Sequence, residues 1–199
     1  MKFLALDIAF NNTGYVLFDR DLTIFRIGCL TISSHPRIIH TFKVPTFKSH
    51  QQDMYDVGKT QYVATQLVET LQAYSFVVQE LLDQTCPDIA IAEITFLGGM
   101  SSKAVTLMTS AVTTWTINLW VRSIKLVSYI PQQVNKFVKE VTECSKVTKE
   151  ARKKCVEYFI PDMPSLGSKG RQEHVTDAML AGIYHLVRIK ELDSWTKTQ

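Results

Sequence analysis

Phe3-Leu4-Ala5-Leu6-Asp7, then Gly14-Tyr15-Val16-Leu17-Phe18, then a stretch rich in β-formers over residues 22–32, is the part of this sequence that decides its fold. The first run is short, continuously apolar and stops at a carboxylate, as a buried strand does on leaving a sheet. A loop at residues 10–12 links it to the second run, so the pair reads as a hairpin, and Asp19-Arg20-Asp21 turns the chain into the third. Three consecutive antiparallel strands open the protein.

Beyond them the period changes. Residues 33–56 carry Pro36 and Pro45 without a clear repeat and read as a long loop. Over residues 57–82, Val63, Leu67, Leu71, Tyr74, Val78 and Leu81 recur at three- and four-residue steps, which predicts an amphipathic helix ended by Pro87. Ile89-Ala90-Ile91-Ala92 has the unbroken apolar character of a central parallel strand and runs straight into Glu93. After Gly98-Gly99, the spacing of Val105, Met108, Val112, Trp115 and Leu119 predicts a helix over 101–122 with Ser101 or Ser102 as its N-cap. Residues 125–129 form a fifth strand. Pro131 opens a short helix, and Thr148 caps another whose buried stripe is Ala151, Cys155 and Phe159. Val175, Met179, Ile183 and Leu186 trace the last helix.

Three meandering strands followed by strand–helix alternation predict an α/β fold of the ribonuclease H-like kind. Its sheet is mixed and five-stranded, with the first three strands antiparallel and helices on both faces. Each half of an actin-like ATPase shares this order, so the fold alone does not choose a function.

The 199 residues are 46% apolar and 21% charged, which suits one globular domain over residues 1–199. The longest apolar runs fall far below the roughly 18 residues of a membrane span. Met1-Lys2-Phe3 leads into a strand rather than a signal peptide, so the expectation is a cytoplasmic protein with no membrane partner. Cys29, Cys86, Cys144 and Cys155 lack Cys-x-x-Cys spacing and are expected to be reduced, mostly buried thiols. The net charge is only +3, yet residues 136–154 hold seven basic side chains against three acidic ones, leaving the rest of the chain near neutral. Such a basic stretch suits a polyanion partner, although a solvated helix face has the same appearance.

Asp7 ends the first strand and Glu93 ends the strand at 89–92. These two strands are neighbours in a ribonuclease H-like sheet, and ligand sites gather at the carboxyl ends of strands, so the two carboxylates can meet. Taken singly, each would be an ordinary turn or cap residue. His174 and Asp177 lie three apart on the last helix and share a face. They join the cluster if that helix crosses the sheet edge; otherwise Asp177 complements the helix dipole and His174 is a loop residue. Three acids and a histidine in one place call for cations, because like charges oppose one another's ionisation. Oxygen ligands select Mg²⁺, with Mn²⁺ as a substitute favoured by the histidine. Two such ions about 3.5–4 Å apart would suit in-line hydrolysis of a phosphodiester.

These residues, in this order, resemble the RuvC family of Holliday junction resolvases. Leu4-Ala5-Leu6-Asp7 with Thr13-Gly14-Tyr15 is similar to the family's opening, and His174-Val175-Thr176-Asp177-Ala178-Met179-Leu180-Ala181 to its closing helix. The resemblance implies a structure-selective endodeoxyribonuclease that binds four-way and other branched DNA as a homodimer and resolves it by paired phosphodiester hydrolysis. Asp7, Glu93, His174 and Asp177 would be its metal-binding catalytic residues. It further implies that Phe96 stacks at the junction, where a lone Phe would as readily be a core residue, and that Lys149 assists catalysis by neutralising phosphate charge. Lys136, Lys139, Lys146, Lys149, Arg152, Lys153 and Arg171 would hold the sugar–phosphate backbone. The helix over 57–82 is a candidate dimer interface, although a long apolar helix is more often simply core. Asp7-Ile8-Ala9 replaces the family's Asp-Pro-Gly, and Asn135 stands where a lysine is expected. These departures suggest a divergent member, viral or phage, acting in the host cytoplasm.

Three other readings compete. An actin-like kinase needs a second half and a glycine-rich nucleotide loop, which 199 residues do not contain. A ribonuclease H proper carries its glutamate on the first helix rather than after a strand. A non-catalytic branched-DNA-binding or structural module predicts loss of one or more of the acids.

Overall fold

The structure is a computed structural model that describes residues 1–9, 11–32, 37–48, 51–63, 67–94 and 101–189. Its first strands are β1 (Lys2–Asp7), β2 (Asn12–Asp19) and β3 (Ile24–Ile32), the antiparallel meander expected. The third strand starts two residues later than its composition suggests. Asp19 Oδ1 accepts from the backbone N–H groups of Asp21 and Thr23, and Leu22 takes a left-handed φ of 59°, which commits these residues to a turn.

Two strands were not anticipated. β4 (Arg37–Lys48) and β5 (Gln51–Val63) form a long antiparallel hairpin on the outer side of β3, where the sequence suggested a loop and the start of a helix. Pro45 conceals the strand in a sequence reading, yet it sits at a register shift between Val44 and Pro45, where an interrupted ladder tolerates a residue that lacks an N–H. The helix expected over 57–82 therefore begins only at Leu67: α1 spans Leu67–Thr85. The sheet has seven strands rather than five, in the order β5-β4-β3-β2-β1-β6-β7, with β6 (Ile89–Glu93) and β7 (Lys125–Tyr129) parallel to β1.

The remaining elements follow the predicted pattern: α2 (Ser102–Val121), α3 (Pro131–Thr142), α4 (Lys149–Phe159) and α5 (Lys169–Arg188). Ser101 Oγ caps α2 by accepting from the Ala104 N–H, and Thr148 Oγ1 caps α4 by accepting from Ala151. Helices cover both faces of the sheet. On one, Val134, Phe137, Cys155, Val175, Met179 and Ile183 of α3, α4 and α5 pack on Phe3, Ala5, Val16 and Phe18. On the other, Tyr74, Val78, Leu81, Trp115 and Leu119 of α1 and α2 pack on Leu4, Leu6, Tyr15 and Leu17. The split follows from the strand period of two, because adjacent residues of β1 point to opposite faces. All four cysteines are free thiols; Cys29 and Cys155 are buried, Cys144 is half-buried and Cys86 is exposed. Among the described residues no helix is long and apolar enough to cross a membrane.

Candidate active site

Asp7 and Glu93 are direct register partners across the parallel β1–β6 ladder, both at the carboxyl end of their strands. The hydrogen-bonded register fixes them side by side, because residues at the same level of adjacent strands point to the same face. On that face α5 crosses β1 and β2. The crossing is close at Gly14, where an added Cβ would lie 2.3 Å from the carbonyl carbon and oxygen of His174. Only a residue without a side chain lets the helix backbone come so near.

This approach brings His174 to Asp7, with Nδ1 2.6 Å from Oδ2. The hydrogen bond to Asp7 raises the His174 pKa despite partial burial, favouring the charged imidazolium. Both His174 and Asp177 lie in the second and third turns of α5, slightly deeper than the first-turn placement expected. Burial raises the pKa of Glu93 and of Asp177; each also feels Asp7 as a like charge, and Glu93 feels Asp177. Three carboxylates and one imidazole thus share one electrostatic neighbourhood.

A cation from the protein itself lies among them. Arg152 of α4 donates from Nη2 to both carboxylate oxygens of Glu93, at 3.0 and 2.9 Å, and from Nη1 to Asp177 Oδ1 at 2.8 Å. Asn135 of α3 holds it from behind: its Oδ1 accepts from Nε at 3.3 Å and Nη2 at 3.1 Å. The Arg152 side chain is only 14% exposed. Burial works against its charge, but Asp177 and Glu93 more than offset that and hold it firmly ionised. As the side chains stand, no group of three or more His, Cys, Asp or Glu among the described residues is arranged to hold a metal ion. The donor types suit a hard divalent cation, but Arg152 takes the oxygens that such an ion would need.

The basic residues are divided in role. Arg152, read from the sequence as one of several backbone-binding cations, faces inward. Lys149 is exposed and paired with Glu173, Lys153 is 3.2 Å from Glu157, and Lys136 is 4.0 Å from Glu140. Lys149, Lys153, Lys169 and Gln172 line a groove that also includes Glu150 and Glu173 and reaches Asp177. A second groove is lined by Asn135, Lys136, Lys139 and Lys146. Arg171 stands apart, with Nη1 3.5 Å from Thr41 Oγ1 on β4. Phe96 lies outside the described residues. Asn135 is the site residue whose role the sequence did not suggest; it marked only a missing lysine.

No family model matches this sequence, and no curated protein matches it. Solved structures do. The structure of T. thermophilus RuvC in complex with Holliday junction substrate is similar at 12% identity and a TM-score of 0.60, covering 96% of this chain and 97% of that one. A second structure of Thermus thermophilus RuvC is 13% identical with a TM-score of 0.58, covering 96% of this chain and 98% of that one. The yeast mitochondrial Holliday junction resolvase is 10% identical with a TM-score of 0.58, covering 97% of this chain and 80% of that one. The chain therefore has the RuvC-type, ribonuclease H-like fold over nearly its whole length.

Proposed function

We propose that this protein is a structure-selective endonuclease that binds four-way and other branched DNA and nicks it by phosphodiester hydrolysis. The observation that carries the reading is the convergence of Asp7, Glu93, His174 and Asp177, from two parallel strands and one crossing helix, at the carboxyl end of the sheet. The likeness to junction resolvases supports the same reading.

Asp7, Glu93, His174 and Asp177 would hold the Mg²⁺ or Mn²⁺ ions that this activity requires. Bound there, such ions would supply an activated water and stabilise the leaving oxygen. The chain's own residues do the rest. Asp7 orients His174; the Lys149–Lys153 groove draws the phosphate backbone towards Asp177; and Lys136, Lys139 and Lys146 extend the basic surface along α3 and the following loop.

The active form is a C2 homodimer, which would present two sites to a near-symmetric junction. Its surface is the outer side of α1 and α2, where Phe76, Ile117, Trp120 and Val121 are exposed and Trp120 retains 79% of its surface. Large apolar side chains gathered on one side of a helix pair are a surface that a second copy would cover.

Nicking of labelled four-way, three-way and linear duplex DNA with Mg²⁺ or Mn²⁺ tests the proposal, with Asp7→Asn as the control. Metal-dependent junction cuts that vanish in a variant still able to bind would support it. Junction binding without cleavage by the wild-type chain would favour the second reading, a non-catalytic branched-DNA-binding module, to which Arg152 lends weight by filling the carboxylate cluster.

A further inference from the structure

Arg152 has a place in the carboxylate cluster that the nuclease reading does not account for. All three of its guanidinium nitrogens are engaged: Nη2 with Glu93 and Asn135, Nη1 with Asp177, and Nε with Asn135. Each bond uses a lone pair on an acceptor, and both Glu93 oxygens spend one on the same nitrogen.

A divalent cation held by Glu93 and Asp177 would need those oxygens, and it would also meet a positive charge already seated between them. Two cations cannot share the position, since the attraction that draws either in is cancelled by the other. Removing the guanidinium without a replacement would leave Glu93, 9% exposed, as a buried carboxylate beside Asp177 and Asp7. The cluster needs one cation at all times, and in the resting protein the chain supplies it.

We propose that Arg152 is the resting counter-ion of the site, that it holds Glu93 and Asp177 in place until a divalent ion arrives, and that it must leave for the ion to bind. Asn135 acts as its anchor and thereby sets how readily it departs. Arg152 is in this sense a positioning residue that regulates metal entry; the inference rests on the nuclease reading for the identity of the incoming cation.

The test is Mn²⁺ binding to the full chain without DNA, followed by the electron paramagnetic resonance signal of free Mn²⁺, for wild type, Arg152→Gln and Asn135→Ala. Circular dichroism serves as the folding control. Arg152→Gln should bind Mn²⁺ at least ten-fold more tightly than wild type. Asn135→Ala, which keeps the charge but frees it from its anchor, should shift affinity the same way by a smaller factor. If Arg152→Gln does not fold, Asn135→Ala carries the test alone, and unchanged affinity in it overturns the proposal.

Junction nicking by wild type separates this proposal from the reading beneath it. Equal Mn²⁺ affinity in Arg152→Gln and wild type, with wild type nicking junctions, would end the counter-ion role and leave the nuclease standing. Tight Mn²⁺ binding confined to Arg152→Gln, with wild type never nicking, would uphold the counter-ion and end the nuclease. No Mn²⁺ binding by any of the three proteins would overturn the counter-ion role, and if wild type also failed to nick junctions it would end the nuclease as well.

Discussion

Gly14 of β2 lies directly beneath the backbone of His174, so close that a single methyl group at Gly14 would fall 2.3 Å from the His174 carbonyl. The contact is backbone against backbone, and no rotamer change can relieve it. Gly14→Ala should therefore push α5 off the sheet, costing about 1–3 kcal/mol as overpacking does. Thermal unfolding would show a Tm lower by several degrees, and nicking should fall more than stability alone explains, because Asp7 and His174 would part.

Asp7→Asn should abolish metal-dependent nicking while leaving junction affinity within a few-fold of wild type, since the basic grooves are untouched. Cleavage and gel-shift measurements on the same preparation decide it. Loss of binding together with cleavage would show that Asp7 is needed for the fold rather than for the chemistry.

How much of this was legible in the sequence depends on whether the residue pattern of an element announces that element. Asp7 and Glu93 could be paired because each ends an apolar strand run, and the neighbourhood of those strands follows from the element order. The β4–β5 hairpin could not, because residues 33–56 show no clear repeat and Pro45 fits a strand only once the register shift is known. Arg152 lies between these cases. At about 100° of rotation per helical residue, it falls inside the arc of α4 marked out by Ala151, Cys155 and Val156, all buried. Its position on the helix points inward, while its charge makes it look like one more member of the basic stretch at 136–154.

Salt should reveal which lysines meet phosphate. Each Lys or Arg contact to duplex DNA contributes close to one unit to the slope of log affinity against log salt concentration. Replacing Lys146 or Lys149 by alanine should reduce that slope by about one and weaken all junction sequences alike. An unchanged slope would remove the substituted residue from the DNA surface.

Acid should destabilise the protein through a residue outside the carboxylate cluster. His40 on β4 is buried with its Nε2 2.7 Å from Tyr15 Oη, and burial together with the Arg26 charge lowers its pKa to about 3. The folded protein therefore keeps His40 neutral, whereas the unfolded chain protonates it below its ordinary value of 6.5. The unfolded state binds the extra proton, so stability falls as pH drops from 6.5 towards 3. At pH 5 the loss should be about 2 kcal/mol. Denaturant unfolding at pH 7 and pH 5 measures it, and His40→Gln should remove that part of the difference.

Trp120→Glu should convert a dimer to a monomer in analytical ultracentrifugation and turn paired junction cuts into uncoordinated single nicks. A wild-type chain that is already monomeric would exclude α1 and α2 as a subunit interface.

The sheet separates these effects. Asp7, Glu93, His174, Asp177 and Arg152 are all set by the core under α3, α4 and α5, whereas the exposed face of α1 and α2 rests on the other core. The seven-stranded partition between them gives the molecule two surfaces that can be remodelled independently. A lineage or an engineer could exchange the partner bound on one side without retuning the chemistry on the other, and the expected signature is additivity: paired substitutions drawn from opposite sides should sum in stability, while pairs in contact within one side should not.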